Sequence, residues 1–236
     1  MIMGIELWGL SLGRDPVSMG SHLLGALLSV GATYVLLRRA RRNGRSGLGV
    51  GTYGVMMTLA FSASALFHYV EAGSPRYELY NKLDHVAIFL MIAGTGTAIY
   101  SALQAQWTNH VMGALWGCAL LGIVLKLTFW SMPDWATATV YLTVGWLGSL
   151  GVLQMGRTSD HRPVRLFLLG ALVFTLGALV YAGDRPSIWT DVIGAHEVFH
   201  GLVLIGAALH YAFIYRHCVA ANQDVPKQDT PVPVGG

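Results

Sequence analysis

Seven stretches of this chain are apolar over about 20 residues each, the length a helix needs to cross the roughly 30 Å hydrocarbon core of a bilayer. They fall near 18–37, 50–70, 83–104, 110–130, 136–155, 164–182 and 196–216. In hydrocarbon each segment must satisfy its own backbone N–H and C=O groups, so spans of this kind fold as helices. Only 11% of the 236 residues are charged, against roughly 25% in soluble domains. The chain therefore reads as an all-α integral membrane protein, a seven-transmembrane helix bundle over residues 18–218. Residues 1–17 are too short and interrupted to cross, and are expected at the interface with Trp8 as an anchor. No basic n-region or small-residue cleavage site marks Met1–Leu12 as a leader. Residues 219–236, polar and proline-bearing, are expected to be disordered.

The net charge of +3 comes mostly from loop arginines, which points to lipid headgroups and not to nucleic acid. Cys118 and Cys218 form no CxxC pair and read as apolar fillers. Many of the 29 glycines fall inside spans, as at Gly145, Gly148, Gly151, Gly170 and Gly177. Small residues let helices approach closely in a bilayer, so these are packing signals. Gly94-Thr95-Gly96 lacks the strand–turn–helix setting of a phosphate cradle.

Against this apolar background the polar residues are unevenly placed. With seven spans, the N-terminus and the 2–3, 4–5 and 6–7 loops share one face of the membrane. Ser21 and His22 open the first helix, His68 closes the second, Asp84 and His85 open the third, and His196 and His200 open the seventh. All lie in the same leaflet half, whereas chance would scatter them between both. His196-Glu197-Val198-Phe199-His200 puts two imidazoles at i and i+4, about 40° apart around the axis and 6 Å apart along it.

The chemistry that fits is a three-histidine zinc site from His68, His196 and His200, with a fourth position open to water. Bound metal lowers the pKa of that water toward neutrality. Asp84 can orient or deprotonate the water, or hold a ligand imidazole by a hydrogen bond. Ser64, one turn before His68, can support the water or an oxyanion. His22 and His85 are candidates for the pocket or for holding the ligands. Each piece also has a plainer reading: a packing histidine, a serine bonded to its own helix, an aspartate at a helix N-terminus. His210 shares the angular face of His196 but lies about 21 Å along the helix and cannot share its metal. His110, His161 and His217 sit at ends or in loops and read as solvated.

Ser64-xxx-His68, Leu83-Asp84-His85 before an apolar helix, and His196-xxx-His200-Gly201 with His210 downstream resemble the hemolysin III branch of the progestin and adipoQ receptor family. Tyr181 and Asp184-Arg185-Pro186 fit the same likeness, which runs from Ser21-His22 to about Tyr215. The resemblance implies a seven-helix bundle with zinc on His68, His196 and His200, and Asp84 acting through water on the metal. The wider superfamily includes the alkaline ceramidases, which hydrolyse a lipid amide at a similar site. The resemblance also implies a cytoplasmic N-terminus. The arginines of the 1–2 and 5–6 loops (Arg38, Arg39, Arg41, Arg42, Arg45; Arg157, Arg162, Arg165) favour the reverse orientation.

The leading expectation is thus a plasma-membrane protein of bacterial inner-membrane type that hydrolyses a lipid amide or ester with zinc. Membrane lipids would be its substrate or ligand. A sensor of membrane state with structural zinc is the second. A cytolysin is the third, and an intramembrane protease using Glu197 as base is the last.

Overall fold

The computed structural model describes residues 6–7, 10–11, 13–103, 107–158, 162–189 and 193–220. The expectations for Trp8, His161 and the 221–236 tail fall outside them. A two-residue hairpin, β1 (Glu6–Leu7) with β2 (Leu10–Ser11), precedes seven helices. These are α1 (Pro16–Arg42), α2 (Leu48–Tyr69), α3 (Tyr77–Leu103), α4 (Thr108–Thr128), α5 (Asp134–Thr158), α6 (Arg162–Gly183) and α7 (Ala195–Phe213). A π-helical turn, Ile214–Cys218, ends α7.

Each expected span is a helix, and the polar flanks lengthen several of them. Pro16 opens α1, where its missing N–H leaves no donor unpaired. Arg39, Arg41 and Arg42 in the last turn of α1 complement the negative end of the helix dipole. The N-terminal segment therefore yields to helix at Pro16. At the other end Val219, expected in the tail, is 1% exposed and accepts a hydrogen bond from Asn43 Nδ2. The described structure thus continues past the π turn.

Among the described residues six helices, all but α5, are long and apolar enough to cross a membrane. The path of α5 follows from its partners. Near its start Tyr141 bonds His85, and further along the Gly148 carbonyl accepts the Tyr100 hydroxyl. It therefore runs parallel to α3 through the same thickness, while Tyr181 to Asp134 and Trp146 to Thr175 set α6 antiparallel to it. Sequential helices pack on one another, α5 also rests on α3, and α7 returns to α1 to close the bundle. Leu24, Leu27, Leu28, Leu121, Val124, Leu172 and Leu179 point outward, as lipid contact requires.

The glycines divide into two kinds. A Cβ on Gly170 would strike the His210 ring, and one on Gly177 would press on Leu202 and Phe199, so both let α6 approach α7. Gly145 is different: a Cβ there would meet nothing within 4 Å. It lines a cavity between the helices, so it is not the packing residue its spacing suggests.

Candidate metal centre

The packing of α2 against α1 and of α7 against α1 brings three imidazoles to one point. His68 is in the last turn of α2, and His196 and His200 occupy successive turns at the start of α7. His68 and His200 are 1% and 2% exposed, and His196 is half-buried. The Nε2 of His196 lies 3.1 Å from that of His68 and 3.0 Å from that of His200. One ring nitrogen from each falls within 4.8 Å of the others, so the three can hold a metal ion.

The donor chemistry fits that use. Asp15, just ahead of α1, receives a hydrogen bond from His68 Nδ1 at 2.9 Å. A carboxylate only accepts, so Nδ1 carries the ring proton and Nε2 turns its lone pair toward the cluster. This carboxylate–histidine arrangement is the usual support of a metal-ligating imidazole. Burial raises the Asp15 carboxyl, but the bonds from His68 and Arg14 outweigh it and hold the group below its ordinary pKa. Arg14 Nε donates to the same oxygen at 2.8 Å. The Asp15 amide donates to the His68 carbonyl at 3.1 Å, and Gly13 lies directly on Tyr69. Gly13 has φ +80, and a Cβ there would come 2.8 Å from Tyr69 Cα, so the strap needs glycine.

Around the cluster, His22 stacks on His200 with centroids 3.9 Å apart and an interplanar angle of 32°. Neither His22 nitrogen, nor Nδ1 of His200, has a hydrogen-bond partner among the described residues. Buried orphan nitrogens beside converging imidazoles are what a missing ligand leaves. Glu197, central to the HExxH string, faces away: it accepts from Ser18 Oγ at 3.1 Å and from the Gly194 amide at 2.9 Å, capping α7.

Ser64 is buried one turn before His68 in α2, and Asp84 lies in the N-terminal half of α3. Both line a cavity of about 530 Å³ that runs between α2, α3, α5, α6 and α7. His22, His196 and His200 form part of its wall. His85 lies on the far side, its Nδ1 2.8 Å from the Tyr141 hydroxyl, and does not join the cluster. Met91, Ile92, Ile99, Leu115, Phe174 and Val203 carry the cavity toward the other leaflet. From Asp84 to Ile99 it follows α3 for about 22 Å.

His210 is separate, donating Nε2–H to the Phe167 carbonyl at 3.2 Å. His110 is exposed, but His217 is not a loop residue in water: it is half-buried in the π turn against Phe213. Sequence reasoning gave no role to Asp15 or Tyr141. The signal for Asp15 was its place before a helix-opening proline, on the membrane face shared by the histidines.

The chain is similar to known proteins over most of its length. A family profile described as Haemolysin-III related matches residues 10–211. The chain is 29% identical over 195 residues to Hemolysin-3 of Bacillus cereus, covering 81% of this chain and 85% of that one. It is 28% identical over 202 residues to the Hemolysin-3 homolog of Bacillus subtilis (strain 168), covering 84% and 92%. Against the Adiponectin receptor protein of Drosophila melanogaster it is 27% identical over 218 residues, covering 81% of this chain and 48% of the receptor.

Proposed function

Since the chain belongs to the haemolysin-III related family, we propose that His68, His196 and His200 hold a zinc ion and that the protein hydrolyses a lipid amide or ester in the plasma membrane. The main support is the cavity, whose wall carries His196 and His200 of the cluster together with Asp84 and Ser64 and continues into an apolar channel. Histidine-rich ligation favours zinc among the common divalent ions. Zinc held this way polarises a carbonyl and acidifies water.

The chain's own residues supply the proton handling. Asp15 keeps the His68 lone pair aimed at the cluster. Asp84 takes the proton of the attacking water as the C–O bond forms. Ser64, on the same cavity wall, donates its hydroxyl hydrogen to the developing oxyanion. Asp84 then returns its proton to the departing amine or alcohol as the C–N or C–O bond breaks. The apolar length of the cavity takes the acyl chain and keeps bulk water out.

Elemental analysis and turnover on a panel of ceramides, acyl amides and acyl esters test the reading together. We expect about one zinc per chain, lost in His200→Ala and kept in Asp84→Asn, with turnover in Asp84→Asn reduced roughly 10²–10⁴-fold. Zinc-loaded protein that binds these lipids and turns over none would sink it.

A sensor with structural metal is the second reading, favoured by the way the cluster ties α2, α7 and the strap before α1 together. Lysis belongs to the relatives whose names carry it; a cavity beside buried imidazoles supports chemistry on a lipid instead. Glu197 as a protease base is disfavoured by its capping bonds.

A further inference from the structure

The cavity has a second polar corner, at the α4–α5 turn, which the hydrolytic reading leaves without a role. Lys126 lies in the last turn of α4 and is 6% exposed. Its ammonium donates to Thr137 Oγ1 at 3.2 Å and to the Trp130 carbonyl at 3.5 Å, and stands 4.9 Å from the Trp130 ring centroid. An ammonium has three N–H groups, so one is left over. Among the described residues the ion pairs are Arg14–Asp15, His68–Asp15 and Lys82–Glu78, and none involves Lys126. Asp134 lines the same cavity and faces Lys126 as a nearby carboxylate, but it makes no direct ion pair with the ammonium, and its Oδ1 accepts the Tyr181 hydroxyl at 2.8 Å.

Lys126 is also the one lysine or arginine among the described residues that line the cavity. An ammonium out of water without a paired anion is costly. This corner is in the same polar layer as the histidines: the Trp130 ring packs edge-on against His85, centroids 5.3 Å apart, and His85 adjoins Asp84 in α3. An acyl chain in the apolar length of the cavity would therefore bring its polar end to both groups at once.

We infer that Lys126 and Thr137 form an anion subsite, which receives the carboxylate or phosphate of an acyl lipid whose amide or ester faces His68, His196 and His200. Only the position of the amide or ester rests on the hydrolase reading. A neutral lipid leaves Lys126 unpaired, and a lipid amine would set a second cation beside it.

Binding to the full chain in detergent tests this, read by isothermal titration with N-palmitoylglycine, palmitoyl lysophosphatidate and the neutral N-palmitoylethanolamine. An anionic lipid is expected to bind about tenfold more tightly than the neutral one. That preference should vanish in Lys126→Met and persist in Lys126→Arg. It should also persist in Lys82→Gln, which alters the other lysine near Trp130. Preference for the glycine conjugate alone assigns a carboxylate source, and preference for the lysophosphatidate alone a phosphate headgroup; either supports the subsite. Unchanged affinity for N-palmitoylethanolamine shows that a variant is folded. Should Lys126→Met lose it, Lys126→Gln carries the same comparison. Equal affinities in the wild type, or a preference that survives loss of the cation, overturns the inference. Repeating the titration on His200→Ala separates the two readings. Absence of zinc or turnover defeats the hydrolase and leaves an anion preference standing, and the converse result defeats only the subsite.

Discussion

At the residue scale the metal centre depends on a carboxylate that lies outside every span. Without Asp15 nothing fixes the His68 tautomer or the plane of its ring. Asp15→Asn is expected to weaken zinc binding roughly 10–100-fold, measured by competition against a chelator. Glu197→Ala should keep zinc and lose only the cap, about 1 kcal/mol of unfolding free energy; loss of metal there would contradict the geometry. The difference in legibility between these two has a physical cause. The spacing of His196 and His200 is a property of one helix, so it shows in the sequence. The bond between Asp15 and His68 joins residues 53 positions apart and exists only because α1 and α2 pack antiparallel. Asp84 and Ser64 were legible as candidates, but their meeting on one cavity wall needed the packed helices.

At the element scale, the seven helices were readable because a bilayer imposes one length and one composition on every span. Their ends were less so: α3 starts at Tyr77, since the polar turn from Tyr77 to Lys82 is helical without being apolar. Glycine spacing was ambiguous in a similar way. Gly170 and Gly145 look alike in sequence, yet one is pressed against His210 and the other borders empty space. Gly170→Leu should lower unfolding free energy by about 1–3 kcal/mol through overpacking. Gly145→Leu should leave the melting temperature unchanged while reducing lipid affinity, because its side chain fills the cavity. Thermal unfolding and lipid titration on both variants check the pair, and equal destabilisation of the two would refute the distinction.

For the whole molecule, closure of the bundle depends on α7 meeting both α1 and the end of α2. A metal at that junction binds the folded chain and not the unfolded one, so it adds stability by mass action, about 2.7 kcal/mol when free zinc is 100 times its dissociation constant. Chelation should lower the melting temperature of the wild type and leave that of His200→Ala where it was. A wild type indifferent to chelator would remove the cluster's role as a clasp.

The same junction sets an order of events during synthesis. His68 and its partner His196 are 128 residues apart in the chain. At roughly 5–20 residues per second, the first ligand waits about 6–26 s for the second to be made. Until then Asp15 holds His68, one of the three imidazoles, without the other two. Uptake of a metal by this cluster would therefore be the last step of insertion and would mark a finished chain. A ribosome stalled before α7 leaves a protein that has entered the membrane but has nothing with which to keep an ion.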